Sequence, residues 1–132
     1  MTALNKLTVS EFLNRFYSFN DGVLRKIEVS YMDNGRRNVS ALIATRDANE
    51  NQNDGWVCVR LVISQVADFC FSETAKSSAQ VLSQGIHICW FDDNIGIDFG
   101  HFIDFPSSLA ELKSSSCFAV GLSLEWAVEP YK

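Results

Sequence analysis

Residues 117–128 alternate between large apolar side chains and mostly small ones. The large side chains occupy every second position: Phe118, Val120, Leu122, Leu124, Trp126 and Val128. This period of two predicts a long β-strand with one heavily buried face. On the other face, Ala119, Gly121, Ser123 and Ala127 leave room for a bulky element close to the sheet. We expect an N-terminal helix there; without the helix, this small-residue stripe is a candidate groove.

The N-terminal helix is predicted over residues 7–17. Thr8 and Glu11 have the spacing of a capping box, and Leu7 and Phe12 occupy the positions of a hydrophobic staple. Four apolar side chains then follow at helical spacing: Phe12, Leu13, Phe16 and Tyr17. The apolar stripe predicts that the helix packs on the sheet.

Six further segments have strand character: residues 23–31, 37–45, 56–63, 66–71, 85–91 and 95–99. Two segments are typical of tight turns: Asp33-Asn34-Gly35 and Asp92-Asp93-Asn94. We expect residues 46–55 to form a solvated, mobile loop. Residues 72–84 fit either a loop or a weak helical turn. Ser108 and Glu111 predict a second capped helix over residues 109–113. We therefore expect one α+β, mainly β domain over residues 1–132, with a curved antiparallel sheet of about seven strands, as a half-barrel or sandwich, and the N-terminal helix packed on it.

Charge and composition limit the classes of partner. The formal net charge is −5, with +3 in residues 1–46 and −8 in residues 47–132. An acidic surface disfavours nucleic acid and anionic membranes but permits a basic protein partner. No apolar run is long enough for a spanning helix, and residues 1–10 lack a signal-peptide core, so we expect a cytoplasmic protein. The four cysteines lie in apolar segments and are typical of buried thiols in a reducing compartment.

Residues 98–104 are the best candidate for catalysis. His101 lies between Asp98 and Asp104 and has the surroundings of a general base. His87 and Cys89 share one strand face and could approach a metal together with Asp98 or His101. No second polar cluster accompanies them in the sequence, so we predict no catalytic residue, no metal and no cofactor. Alternative hypotheses are a small hydrolytic enzyme that uses these His and Asp residues, or a structural or oligomerising subunit.

Residues 90–105 are the best candidate for binding, because they are acidic and aromatic and contain no Lys or Arg. The predicted binding residues are Asp92, Asp93, Asp98, Asp104, Trp90 and Phe102. Aromatic anchors among like charges suit an electrostatically steered protein interface. The competing interpretation is that the aromatic rings face the core while the acidic groups face water.

A short segment resembles a known family. Phe16 and Phe19-Asn20-Asp21-Gly22, followed by residues 23–29 and a succession of short strands, resemble small bacterial immunity proteins of polymorphic-toxin systems. In that family a short helix leads to a Phe-His-Asp-Ala/Gly turn and a β-meander, and Asn20 stands here where the histidine would be. The resemblance implies a non-enzymatic protein that neutralises a cognate, often basic toxin in the cytoplasm by occlusion. It implies charge pairing by the aspartates of residues 92–104.

Overall fold

A computed structural model describes residues 1–76 and 78–132, and within these ranges ten strands form two antiparallel sheets. The strands are β1 Thr2–Ala3, β2 Gly22–Tyr31, β3 Arg37–Arg46, β4 Trp56–Ser64, β5 Asp68–Phe71, β6 Val81–Leu82, β7 Ile86–Phe91, β8 Asn94–Phe99, β9 Cys117–Gly121 and β10 Ser123–Glu129. The helices are α1 Val9–Arg15 and α2 Leu109–Leu112. The larger sheet has the order β1-β10-β4-β3-β2-β6, and the smaller one β5-β9-β8-β7. The predicted α+β, mainly β class is confirmed.

Both sheets contribute side chains to one main core. Alternate residues of β3 and β4 line it from the larger sheet, among them Ile43, Leu61 and Ile63. Ile88 and Ile97 line it from the smaller sheet. Strand β4 lies inside the larger sheet, between β10 and β3. Burial of one face of each sheet follows from the period of two in these strands.

The prediction of one continuous final strand is wrong. The chain leaves the smaller sheet after β9 and enters the larger sheet as β10, and Leu122 between them is 49% exposed. Phe118 and Val120 therefore belong to a second cluster, with Leu112, and not to the main core. Val128 is also exposed. Large and small side chains do alternate along residues 117–128. Because the chain changes sheet at Leu122, however, the large side chains of β9 and those of β10 face different parts of the molecule.

The small residues of this segment do not receive the helix. A Cβ atom at Gly121 would lie 2.6 Å from Cγ2 of Ile63, so glycine is needed where β9 passes close to β4. Helix α1 instead packs on Trp126, a residue of the large-residue face, whose ring centroid lies 5.0 Å from that of Phe12 and 5.7 Å from that of Phe16. Gly121 accommodates β4, Ala119 is buried in the main core and Ser123 is exposed on β10, so these small residues do not share one face that could form a groove.

The start of helix α1 differs from the prediction. The Thr8 side chain makes no capping hydrogen bond, while Oδ1 of Asn5 accepts the N–H groups of Leu7 (2.8 Å) and Thr8 (3.1 Å). Leu7 is 92% exposed, so it forms no hydrophobic staple with Phe12. The capping box and staple are therefore wrong, because an Asn5-centred turn takes their place.

A left-handed turn follows the helix. Tyr17, Ser18 and Phe19 have φ values of 54°, 56° and 60°. This conformation costs on the order of 1–2 kcal/mol per residue. It brings both Phe16 and Phe19 into the core with no exposed surface and leaves Tyr17, which was predicted to be in the apolar stripe, 54% exposed. Burial of the two phenylalanine rings offsets the backbone cost.

Several local predictions are confirmed. The turn at Asp33-Asn34-Gly35 joins β2 to β3, and Asp92-Asp93 joins β7 to β8. Oγ of Ser108 accepts the N–H of Glu111 at 3.0 Å. Residues 72–84, which were expected to form a loop or a weak helical turn, instead contain the short strand β6, while Ser77 lies outside the described residues. In the part of the chain that the structure describes, no helix combines the length and apolarity needed to cross a membrane.

Candidate functional site

Asp98 is the centre of a buried polar cluster on the outer face of the smaller sheet. Strand pairing places it directly opposite His87, and Oδ2 of Asp98 lies 3.2 Å from Nδ1 of His87. Oγ of Ser115 donates to Oδ1 of Asp98 at 2.7 Å. The Asp98 side chain is completely buried, and the two partners are nearly so. A buried carboxyl group is stable in such a place only when its oxygens are hydrogen-bonded.

The same carboxyl group holds the loop that follows β8. The N–H groups of His101 and Phe102 donate to it at 3.2 Å and 3.1 Å. Gly100, with φ of +85°, takes the left-handed conformation that turns the chain back toward Asp98. We name residues 101–105 the aromatic loop. Its first two backbone N–H groups are therefore bound by a fully buried side chain.

The far end of the aromatic loop is also anchored. The ring of Phe105 lies edge-on to the imidazole of His87, with centroids 4.8 Å apart, and Pro106 is buried. The chain then enters α2, where Leu112 packs so closely on β8 that a Cβ atom at Gly96 would lie 2.2 Å from Leu112 Cδ2. Packing at one end and hydrogen bonds at the other therefore restrict the aromatic loop.

The aromatic loop presents apolar side chains to solvent. Ile103 is 76% exposed and Phe105 is 58% exposed. His101 and Asp104 are exposed, and Phe102 is half-buried. Two exposed apolar side chains within three residues are a feature of binding surfaces, whereas single exposed apolar residues are common everywhere.

The structure separates the other predicted binding residues. Asp92 and Asp93 are exposed at the turn between β7 and β8, six and five residues from Asp98, which corresponds to about 17–20 Å of strand. Asp98 is buried, so it cannot pair with a charge on a partner, and this part of the prediction is wrong. Trp90 is half-buried and packs against the main core. The other predicted binding residues are exposed or partly exposed: Asp92, Asp93, Asp104 and Phe102. The exposed carboxylates do not form one continuous strip.

The predicted catalytic residues meet only in part. His87 and Asp98 are adjacent, but His101 contributes only its backbone N–H, and its ring packs on Phe102 with centroids 4.8 Å apart. Ser115 and His87 both contact Asp98, whereas in a catalytic triad the histidine lies between the serine and the acid. Residues 1–76 and 78–132 contain no cluster of three metal-ligating side chains. The geometry therefore favours a role of this cluster in positioning the loop.

Cys89 lies on the same outer face. Burial raises the pKa of its thiol to about 11, and the negative charge of Asp98 adds to the effect. The thiol is therefore protonated at neutral pH, and it is the thiolate that acts as nucleophile and metal ligand. All four cysteines are free, as expected from their positions in apolar segments.

A polar cleft of about 640 Å³ lies elsewhere on the molecule, beside residues 46–55, which we name the polar loop. Nε and Nη2 of Arg15 donate to the two carboxylate oxygens of Asp47, each at 2.9 Å, and the N–H of Asn49 donates to Asp47 Oδ1. These hydrogen bonds lower the pKa of Asp47. Oε1 of Glu50 accepts the N–H groups of the next two residues. The polar loop is largely exposed as predicted, but much of its hydrogen-bonding capacity is used internally.

Sequence reasoning missed Ser115 and the Arg15–Asp47 pair. Ser115 belongs to a serine-rich connector, and no local pattern indicates that its hydroxyl reaches a strand seventeen residues earlier. Comparison of the chain with protein-family models, with curated proteins and with solved structures finds no match. The function is therefore argued from the geometry of the aromatic loop and from the distribution of charge.

Proposed function

We propose that this chain is a protein-binding module that neutralises a basic toxin domain by occlusion, and that the aromatic loop is its main contact. The observation that carries the proposal is an exposed apolar loop held by a buried carboxyl group. Ile103 and Phe105 project from a backbone that Asp98 fixes at two N–H groups. The resemblance of residues 16–31 to immunity proteins supports the same class of function.

Restriction of the loop supports binding energetically. A flexible loop loses conformational entropy when it binds, and that loss reduces affinity. The hydrogen bonds of Asp98 and the contact of Phe105 with His87 impose this order already in the free protein. Aromatic side chains are enriched among the few residues that dominate interface energetics. Phe105 together with Ile103 is therefore the proposed anchor.

The charge distribution supports a basic partner. Residues 47–132 carry a net charge of −8. Asp104 lies within the aromatic loop, and Asp92 and Asp93 extend from the turn at the other end of the β7–β8 hairpin. Electrostatic steering acts over a Debye length of about 8–10 Å at physiological salt and does not require one continuous strip. These groups would raise the association rate more than the final affinity.

Co-expression with a candidate basic toxin domain tests the proposal through growth of the host and through binding kinetics. The double variant Ile103→Ser/Phe105→Ser should weaken binding by about 100-fold or more and abolish protection, since two contact residues are truncated. The matched control is Leu7→Ser, which removes another exposed apolar side chain and should leave binding unchanged. Full protection by the double variant would overturn the proposed contact.

The acidic groups are tested separately. The triple variant Asp92→Asn/Asp93→Asn/Asp104→Asn should slow association by about tenfold at low salt and flatten its salt dependence, with little change in the dissociation rate. The triple variant Glu11→Gln/Asp33→Asn/Asp54→Asn, which removes three acidic charges at exposed positions elsewhere in the chain, serves as a control for the same change in net charge. Association rates that are unchanged in the triple variant would remove these three aspartates from the interface.

A further inference from the structure

The outer edge of β2 is open along half of its length. Strand β3 pairs with β2 from Val23 to Tyr31, but β6 pairs only with Gly22 and Val23. The N–H of Leu24 still reaches the carbonyl of Gln80, at 2.7 Å. Beyond a bulge between Leu24 and Lys26, no strand in residues 1–76 and 78–132 pairs with this edge. Unpaired strand edges are templates for pairing with another chain.

The hydrogen-bond pattern identifies the free backbone groups. The N–H of Met32 donates to the carbonyl of Arg36, so the even-numbered residues of this part of β2 face β3. Because neighbouring residues alternate, the N–H and C=O groups of Ile27, Val29 and Tyr31 point away from β3. Among the described residues these groups have no backbone partner. Three donors and three acceptors therefore lie along one open edge.

The usual protection of an edge strand is weak here. Lys26 is the charged residue that would disfavour pairing, but its ammonium group lies 3.0 Å from the carboxylate of Glu28 on the same strand. The bulge lies at one end of the open stretch and not within it. Tyr31 is 73% exposed and Met32 is 46% exposed, which adds apolar surface.

We propose that a second copy of this chain pairs antiparallel with this edge about a two-fold axis at Val29. In this register Ile27 lies opposite the partner's Tyr31, and Glu28 lies opposite the partner's Ser30. The three free residues of each copy then form six backbone hydrogen bonds, and the two larger sheets join into one.

Neighbouring registers are less favourable. An axis at Glu28 would place two carboxylates directly opposite each other, which destabilises a strand pair. An axis at Ser30 would leave Ile27 opposite Asp33, which lies in the hairpin turn, and would reduce the number of hydrogen bonds to four. The free backbone groups of Ile27, Val29 and Tyr31 are symmetric about Val29, so a second copy satisfies all of them in this register and keeps the two Glu28 carboxylates apart.

The surface beside the edge can receive the partner's side chains. An open crevice of about 350 Å³ lies next to the start of the open stretch, lined by Leu24, Ile27, Glu73 and Gln80 among others. In the proposed register the partner's Tyr31 lies opposite Ile27 and therefore at this crevice. The open edge belongs to the larger sheet and the aromatic loop follows a strand of the smaller sheet, so this inference does not rest on the proposed function.

Sedimentation equilibrium of the full chain between about 10 µM and 1 mM tests the proposal. Because the interface is small, we expect a dimer with a dissociation constant of roughly tens to hundreds of micromolar. Val29→Pro should be monomeric, because it removes a donor at the free edge without removing a bond to β3. Circular dichroism establishes that this variant is folded. A wild-type chain that is monomeric at 1 mM would overturn the proposal.

Ser30 gives a second test that does not disturb the core. Ser30→Lys should tighten the dimer and Ser30→Glu should weaken it, each by roughly three- to tenfold, because the residue faces Glu28 of the other copy twice per dimer. The controls are Ser123→Lys and Ser123→Glu, which make the same changes in net charge at an exposed strand residue on β10. Equal effects at Ser30 and Ser123 would contradict the proposed register.

Discussion

The polar loop and the aromatic loop are each held by one buried aspartate, yet they present different surfaces. Asp47 binds a guanidinium group, and it also accepts a backbone N–H group of its own loop. Asp98 binds only uncharged backbone and side-chain donors and an imidazole, and its loop exposes Ile103 and Phe105. A buried aspartate can therefore anchor a loop whose polar groups hydrogen-bond within the loop, or a loop that exposes apolar side chains to a partner.

The largest expected effect is that of Asp98→Ala. It removes the acceptor for Ser115, His101 and Phe102 and leaves buried polar groups unpaired, so the free energy of unfolding should fall by about 3–5 kcal/mol. Asp98→Asn keeps one carbonyl oxygen and should cost less. Urea unfolding measures both values, and amide exchange at His101 and Phe102 should accelerate in both variants. Unchanged exchange would mean that Asp98 does not restrict the aromatic loop.

A smaller effect is expected for Asp47→Asn, about 1–2 kcal/mol, because the Arg15 side chain is partly exposed and the pair is partly screened. Arg15 lowers the pKa of Asp47 in the folded state. The ion pair therefore contributes its full stabilisation above the pKa of Asp47 in the unfolded chain, about 3.9, and this stabilisation is lost as the pH falls through the lower pKa of the folded state. The difference between wild type and variant should therefore be constant above about pH 5 and shrink below pH 4. Asp104→Asn, at an exposed carboxylate, is the control.

The smallest expected effect is that of Ile103→Ser on stability. Ile103 is 76% exposed, so the free energy of unfolding should change by no more than about 0.5 kcal/mol. Thermal or urea unfolding measures this change. A loss above 1 kcal/mol would show that Ile103 packs on the protein in solution, and the proposed difference between the two loops would then disappear.

Local sequence signals predicted much of the fold but little of the site. The turns at Asp33-Asn34-Gly35 and Asp92-Asp93, and the capping serine Ser108, depend on neighbours only a few residues apart, which the sequence displays directly. The change of sheet at Leu122 was missed because a period of two does not identify which sheet a residue joins. Gly121 was the only local sign of a close approach.

The polar cluster illustrates the same limit. Asp98 lies three and four residues before the N–H groups that it binds, so that part of the motif was accessible to sequence reasoning. Its contacts with His87 and Ser115 join strand and connector segments that are distant in sequence. Such contacts are set by tertiary pairing and not by spacing.

The change of sheet at Leu122 has a consequence for folding kinetics. Strand β9 pairs with β5 and β8, and one residue later β10 pairs with β4 and with β1 at the opposite end of the sequence. Neither sheet can complete its strand pairing before β9 and β10 are in place. These strand pairs join segments that are distant in sequence, so their formation carries a large cost in loop-closure entropy. We therefore expect slow, cooperative folding, in which the amides of the two sheets exchange through one shared opening reaction.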